Sequence, residues 1–446
     1  MTMFKDTAFI KKLGMLALPI MLNEILNSFV NLLDTFMIGK LGEAPVAAVG
    51  LANQIFFLFI VICFGINSGS QIFMGQFYGR GEHGGIHKCM GTTFVLSVLL
   101  ALIFECAAFM IPDKLMAIYS KDPAVIELGV SYLRIVAFSY IIVAMTVLIN
   151  AALKSTGQVM QPMCTTFISL VCNFIFNLLF IYGLKLGVRG AALATLTARS
   201  IELFAVVLLV KLKKHIIAAR ARAYFSGLDK TFLKGFFAVV IPVILNELMW
   251  ALGTTIYNVA YKYSGTVAQA AVQIAGTVQN VFMVAGIAIG SACGIMIANA
   301  LGADDRERAV YYSRKSMSTS LVFSTAAAVC LALAAPYIAG FFDVTEQARR
   351  YARIMMYITS VGLYIKTLNF ITIVGVLRNG GDTRFCLIAD AATVWFVGVP
   401  MAFLGSAVLS LPIYVTFAMV YMEEVVKLFV TVPRVLNNKW IKTLIN

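Results

Sequence analysis

Apolar residues run through this chain in stretches of about 20, enough for a helix to cross a hydrocarbon core. They are separated by short breaks of polar residues and glycine. The stretches fall at 14–38, 45–77, 89–111, 127–153, 162–182, 190–210, 236–260, 267–299, 317–336, 353–377, 385–404 and 411–432. None alternates polar with apolar at every second position, as barrel strands do, so the twelve spans are read as helices. The expected fold class is an all-α polytopic membrane protein. No stretch is left over for a soluble domain.

Composition supports that reading. Of 446 residues, 61% are hydrophobic and 13% charged, whereas a soluble domain carries about 25% charged residues. The formal charge of +14 invites a nucleic-acid reading, but its distribution argues against one. The densest basic cluster is the central break, with Lys211, Lys213, Lys214, Arg220, Arg222, Lys230 and Lys234. With the N-terminus inside, most Lys and Arg fall on the cytoplasmic side, which is the bias that orients membrane helices. These charges are expected to set topology and touch anionic lipid heads. A multi-pass protein of the cell membrane with both termini cytoplasmic follows, with membrane lipids and not nucleic acid as its surroundings.

The eight Cys stand singly, without a Cys-x-x-Cys, and three His offer no ligand set. Neither a disulfide framework nor a zinc site is supported. No constellation of His, Cys or Asp facing water is visible, so no enzyme and no cofactor is expected.

A shift of 223 residues, half the chain, lays the opening spans on one another without a gap. Pro19, Asn23 and Glu24 fall on Pro242, Asn246 and Glu247; Gly42 falls on Gly265, Ser68 on Ser291, and Gly79 on Gly302. With one residue of slip, Leu153-Lys-Ser-Thr-Gly157 meets Leu377-Arg-Asn-Gly-Gly381. Each half has an even number of spans, so both enter from the same side and the repeat is parallel. The expected organisation is an N-terminal lobe (1–210), a basic cytoplasmic linker (211–235) and a C-terminal lobe (236–446). Duplicated halves around a central site are the architecture of alternating access, and so of a transporter.

Over nearly its whole length the chain resembles the multidrug and toxic compound extrusion (MATE) family. The resemblance is carried by Leu18-Pro19, by Leu33-Asp34-Thr35-Phe-Met-Ile-Gly39-Lys-Leu-Gly42, and by Ala47-Ala48-Val49. Asn173-x3-Asn177-x3-Ile181-Tyr-Gly183, the following Gly190-Ala-Ala-Leu-Ala-Thr195, and Leu377-Arg378-x-Gly380-Gly381-Asp382-Thr383 match as well. It implies twelve helices in two six-helix lobes around a cavity. The implied activity is export of amphipathic, often cationic drugs against entry of H⁺ or Na⁺, the chain acting as a monomer. No G-x4-G-K-[ST] sequence occurs through which ATP would drive the work. A lipid-linked oligosaccharide flippase of the same superfamily is the alternative.

Ionisable residues inside spans cost ~2.5–3.5 kcal/mol on insertion scales and mark function by default. Asp34 lies near the external end of the first span, with Tyr132, Asn173, Asn177 and Thr195 at similar depth on spans four to six. Asn173 and Asn177 are one helical turn apart, hence on one face. This oxygen-rich set suits Na⁺ and equally a carboxyl that takes up and releases a proton. The family places its N-lobe cation site on matching residues. Some members have Asp where this chain has Asn177, so a mechanism needing two carboxylates does not carry over.

The second half does not copy the cluster, since Asp34 maps to Tyr257, Asn173 to Val397 and Asn177 to Met401. It holds Glu247 and Lys366 near mid-membrane, with Asp390 one or two turns nearer the cytoplasm. A buried Glu247–Lys366 pair is expected, either structural or as a second titrating site. Glu24, the repeat mate of Glu247, is a substrate-cavity candidate or a local helix contact. Arg199 and Glu202, i and i+3, are expected to pair.

Overall fold

The computed structural model describes residues 6–225, 229–342 and 344–445. Ordered elements among the described residues are helices, without strands. Among the described residues, ten helices are long and apolar enough to cross a membrane. An eleventh passage is the pair Pro123–Val136 and Ser139–Ser155, bent by 50°. The stretch read as the last span divides at Tyr421 into Ile413–Val420 and Met422–Leu436, the second carrying Glu423, Glu424 and Lys427. The protein is thus an all-α polytopic membrane protein.

The helices overrun the apolar stretches. Glu43–Arg80 and Thr266–Gly302 each extend past the windows read from hydropathy. Charged residues stop an apolar window, but a helix needs only backbone hydrogen bonds to continue past the hydrocarbon. The sharp bend within 127–153 has a local cause. Ser139 donates its hydroxyl to the Val136 carbonyl at 2.6 Å, which diverts an acceptor from the helical ladder.

The repeat is written into the backbone. Gly42 (φ 113°) and its mate Gly265 (φ 90°) both precede the second helix of their half, and Gly157 (φ 77°) matches Gly381 (φ 89°). Positive φ at these turns is what glycine supplies without a steric penalty. The mates Asp122 and Thr345 both cap helices, accepting from Ala124 N–H and Ala348 N–H. Each cap removes one orphan donor, typically about 1 kcal/mol.

Two compact units result, Leu22–Phe236 and Phe237–Asn446 together with Met1–Met21. The first packs around Phe59, Phe104, Leu133 and Tyr140, with Phe59 and Tyr140 stacked at 4.9 Å. The second has a core of Tyr261, Met355 and Phe417. Lipid is as apolar as these side chains, so close packing holds them rather than expulsion from water.

In the second unit the start of the first helix is fastened by Tyr311, which donates to Asp6, and by Phe9 edge-on to Tyr311. The described part of the expected linker is fastened to the first unit. His87 donates from Nε2 to the Ile216 carbonyl at 2.8 Å, and Tyr224 donates to the Ile217 carbonyl at 2.8 Å. Residues 226–228 of that linker lie outside the described residues.

Candidate functional site

Four helices of the first unit bring the expected cluster together. Asp34 comes from Thr7–Gly39, Tyr132 from Pro123–Val136, Asn173 and Asn177 from Met160–Asn177, and Thr195 from Gly187–Leu212. Asn177 donates to Asp34 Oδ1 at 2.6 Å and to Asn173 Oδ1 at 3.0 Å. Asn177 is fully buried and its own Oδ1 receives no donor.

The backbone supports this geometry. Immediately after Asn177 the helix widens into a π-helical turn, Leu178–Gly183, a local form that recurs at functional sites. A Cβ at Gly190 would stand 2.7 Å from the Phe180 carbonyl oxygen. Only glycine there lets Gly187–Leu212 close onto that turn and present Thr195 beside the amides. Thr195 returns its hydroxyl to the Ala191 carbonyl at 3.0 Å. Tyr132 is buried beside Thr195, within electrostatic range of Asp34 and Arg199.

Asp34, Asn173 and Thr195 line a cavity of about 470 Å³. Glu24 lines the same cavity, as do Lys154, Arg199 and Glu202. Asn150 also lines it. Arg199 and Glu202 do not close the expected ion pair. Arg199 lies over the Phe56 ring at 4.4 Å, while Glu202 accepts from Thr166 at 3.2 Å.

The second unit corrects the expectation for its charges. Glu247 pairs with Arg378 at 2.7 Å, not with Lys366. Arg378 also donates to Asn246 Oδ1 at 2.9 Å, and Asn246 donates to Asp390 at 2.7 Å. Asp390 in turn meets Lys427 at 2.6 Å. Lys427 further reaches Glu423 at 2.9 Å and Glu424 at 3.8 Å. Tyr257, the repeat mate of Asp34, donates to Glu423. Lys366 lies apart over the Tyr421 ring at 5.1 Å.

Glu247 found Arg378 because the arginine ends the helical stretch Glu346–Arg378 and turns inward, with 3% of its side chain exposed. Sequence reasoning had left Arg378, Glu423 and Lys427 out of the site. Glu423 and Lys427 at i,i+4 within an apolar span were the available signal. Asp390, read from sequence as one or two turns nearer the cytoplasm than Glu247, joins this network through Asn246 and Lys427.

Fold and site together define a polytopic helical membrane protein made of a duplicated half, one half enclosing a carboxylate-bearing cavity. The family model MatE matches residues 19–179 and 242–404, covering both halves. The chain belongs to the MatE family. Among its relatives, the probable multidrug resistance protein YoeA of Bacillus subtilis is 23% identical over 403 residues, with 89% of this chain and 87% of that one covered. Human multidrug and toxin extrusion protein 1 is 25% identical over 402 residues, with 88% and 68% covered. The crystal structure of MATE in complex with MaL6 shares the fold at a TM-score of 0.88, with 19% identity and 96% of each chain covered.

Proposed function

We propose that this chain is a secondary multidrug exporter, exchanging amphipathic and often cationic organic compounds for H⁺ or Na⁺ by alternating access. It works as a monomer in the cell membrane, both termini cytoplasmic, without a further cofactor. The relatives named for multidrug resistance and toxin extrusion support the export of drugs. One observation carries the coupling: Asp34 stands at a cavity wall held by an amide rather than by an ion pair.

An amide donor positions the Asp34 carboxylate without cancelling its charge, and Arg199, within electrostatic range but forming no ion pair with it, offsets that charge only in part, so a proton or Na⁺ arriving there meets an anion. For Na⁺, oxygen ligands come from Asp34, from Asn177 Oδ1, which has no donor, and from the remaining lone pair of Asn173 Oδ1. Thr195 and Tyr132 supply hydroxyls at the same end. For H⁺, protonation of Asp34 itself removes the charge, and the amides remain as neutral partners. Release of either ion restores an anion in a mostly apolar cavity, which favours rebinding from the side where the ion is concentrated.

Replacing Asp34 with Asn keeps shape and removes the charge. Asp34→Asn is expected to abolish gradient-driven efflux from proteoliposomes while leaving the chain folded and inserted. Separately imposed Na⁺ and pH gradients then identify the ion, since only the coupled one drives wild-type efflux. Near-normal coupled efflux by Asp34→Asn would remove Asp34 from the mechanism.

A further inference from the structure

Residues 437–445 leave the helix Met422–Leu436 and return onto the turn 379–382 of the same unit. The Lys442 N–H donates to the Gly380 carbonyl at 2.9 Å. Trp440 is fully buried, and its ring fills the space beside Gly380, where a Cβ would stand 2.2 Å from it. Asp382, with 2% of its side chain exposed, takes Lys442 at 2.5 Å and Arg434 at 2.9 Å. It also stands at the N-cap of Thr383–Thr393, where its carboxylate makes no cap bond. Asp122 and Asp305, in the same position of other helices, do cap through their side chains. The Asp382 carboxylate is thus committed to the returning segment instead of to its own helix.

The gripped turn joins two ends of the charge network. Arg378, just before it, holds Glu247 and Asn246. Asp390, two helical turns after it, holds Lys427. Arg378 ends the π-helical segment Ile371–Arg378, a form seldom stable without outside support. The mate turn in the first unit lacks this grip. Gln158, the mate of Asp382, is exposed. A Cβ at Gly157 would meet nothing within 4 Å, whereas at Gly381 it would meet Lys442 and Leu444 at 3.1 Å. Lys154, the mate of Arg378, closes no ion pair among the described residues.

We propose that residues 437–445 are a strap that latches the turn 379–382 and thereby holds Arg378 on Glu247. With the strap docked, Glu247 keeps its cation. With the strap lifted, the turn and its guanidinium can move, and Glu247 is left without a partner. The latch is built to let go, because the Lys442 side chain is 44% exposed and water weakens that half of the clasp. Trp440 and Lys442 are positioning residues that act through the turn. The proposal concerns the internal state of the second unit and stands apart from the export reading.

The test uses the purified full chain in detergent, with Cys386 as a native reporter. Cys386 lies one turn past Asp382 and is 1% exposed. Its modification by N-ethylmaleimide is followed peptide by peptide. Exposed Cys106 controls for the reagent, and buried Cys63 and Cys293 for global unfolding. Trp440→Ala is expected to speed Cys386 modification by about tenfold or more, since local opening of the turn becomes easier. Lys442→Gln acts in the same direction by about two- to fivefold, as fits a half-exposed ion pair. It replaces Trp440→Ala throughout if Cys63 and Cys293 also become reactive.

The second reading is the thermal midpoint. Arg378→Met is expected to lower it less than half as far in the strap variant as in the parent, because the pair it breaks is already loosened. Gly398→Ala, which acts at Tyr257, is expected to lower it equally in both. Unchanged Cys386 reactivity, or an equal drop for Arg378→Met in both backgrounds, would overturn the proposal. A Gly398→Ala drop that shrinks in parallel would overturn it too, since the strap would then support the whole unit without placing Arg378.

Discussion

Four positions of the repeat behave differently in the two units. In the second, Asn246, Glu247 and Arg378 are joined by hydrogen bonds and an ion pair, and Tyr257 donates to Glu423. In the first, their mates Asn23, Glu24, Lys154 and Asp34 all line the cavity, and the side-chain Oδ1 of Asn23 receives no donor. Both units share the turn glycines, but their backbones differ where the mates stand: Lys154 follows a 50° bend on a regular α-helix, whereas Arg378 ends the π-helical segment Ile371–Arg378. Side chains differ as well. Where an arginine, a lysine and a tyrosine meet every carboxylate, the polar network is closed and serves packing. In the first unit Glu24, Lys154, Arg199 and Asp34 line one cavity, and among the described residues they close no ion pair with one another.

The closed network is the place where a single change costs most. Lys427 serves Asp390, Glu423 and Glu424 at once, so Lys427→Met leaves buried carboxylates without their cation. The expected loss is about 3–5 kcal/mol, seen as a large drop in thermal midpoint of the detergent-solubilised chain. An unchanged midpoint would mean that the network does not hold the second unit together.

Arg378→Met is expected to cost a comparable amount, because it strands Glu247. Adding Glu247→Gln removes the stranded charge, and the double variant is expected to recover much of the stability. Strictly additive losses across that cycle would contradict the pairing. A smaller effect is expected at Gly398, where a Cβ would enter the space of Tyr257 and Glu423. Gly398→Ala forces that contact apart, at about 1–3 kcal/mol for overpacking. The same substitution at Gly14, which lies inside a helix with open space around it, is the control and is expected to leave the midpoint unlowered, since Ala is the better helix former.

The smallest expected effect lies in the linker. His215 accepts from the Ile217 N–H at 3.3 Å, and burial, with the Lys213 charge, holds its imidazole below the ordinary value. A lowered folded-state value means that the unfolded turn binds the proton better. The stabilisation is present above the unfolded-state value of about 6.5 and is lost as pH falls through the lower folded one. The protection factor of the Ile217 amide, its exchange divided into the chemical rate at each pH, should therefore fall on acidification, and His215→Ala should erase that dependence. A protection factor that rises on acidification would reverse the sign.

Much of the fold was legible because lipid imposes a simple rule: long apolar helices with backbone groups satisfied internally. The duplication was legible because Pro19, Asn23 and Glu24 recur at a fixed spacing where such residues are scarce. Asp34, Asn173 and Asn177 were legible for the same reason, since the i,i+4 amides define a face and depth selects the aspartate. The Glu247–Lys366 expectation failed because depth along the membrane says nothing about azimuth around a helix. Lys366 has the right height but lies against Tyr421, whereas Arg378 reaches in from the end of the same helical stretch. Glu423 and Lys427 stand at i,i+4 inside the span 411–432, but hydropathy averaged over a whole span hides such a pair. Only the fold shows them buried.

The contrast between an open unit and a closed one is tested most directly by cation-driven efflux from proteoliposomes. Two variants are compared, Asp34→Asn and the double variant Glu247→Gln with Arg378→Met, each reconstituted at equal folded protein. Asp34→Asn is expected to stop coupled efflux despite a near-parental thermal midpoint, while the double variant continues to transport. Coupled efflux persisting in Asp34→Asn, or lost in a stable double variant, would place the ion chemistry in the second unit instead.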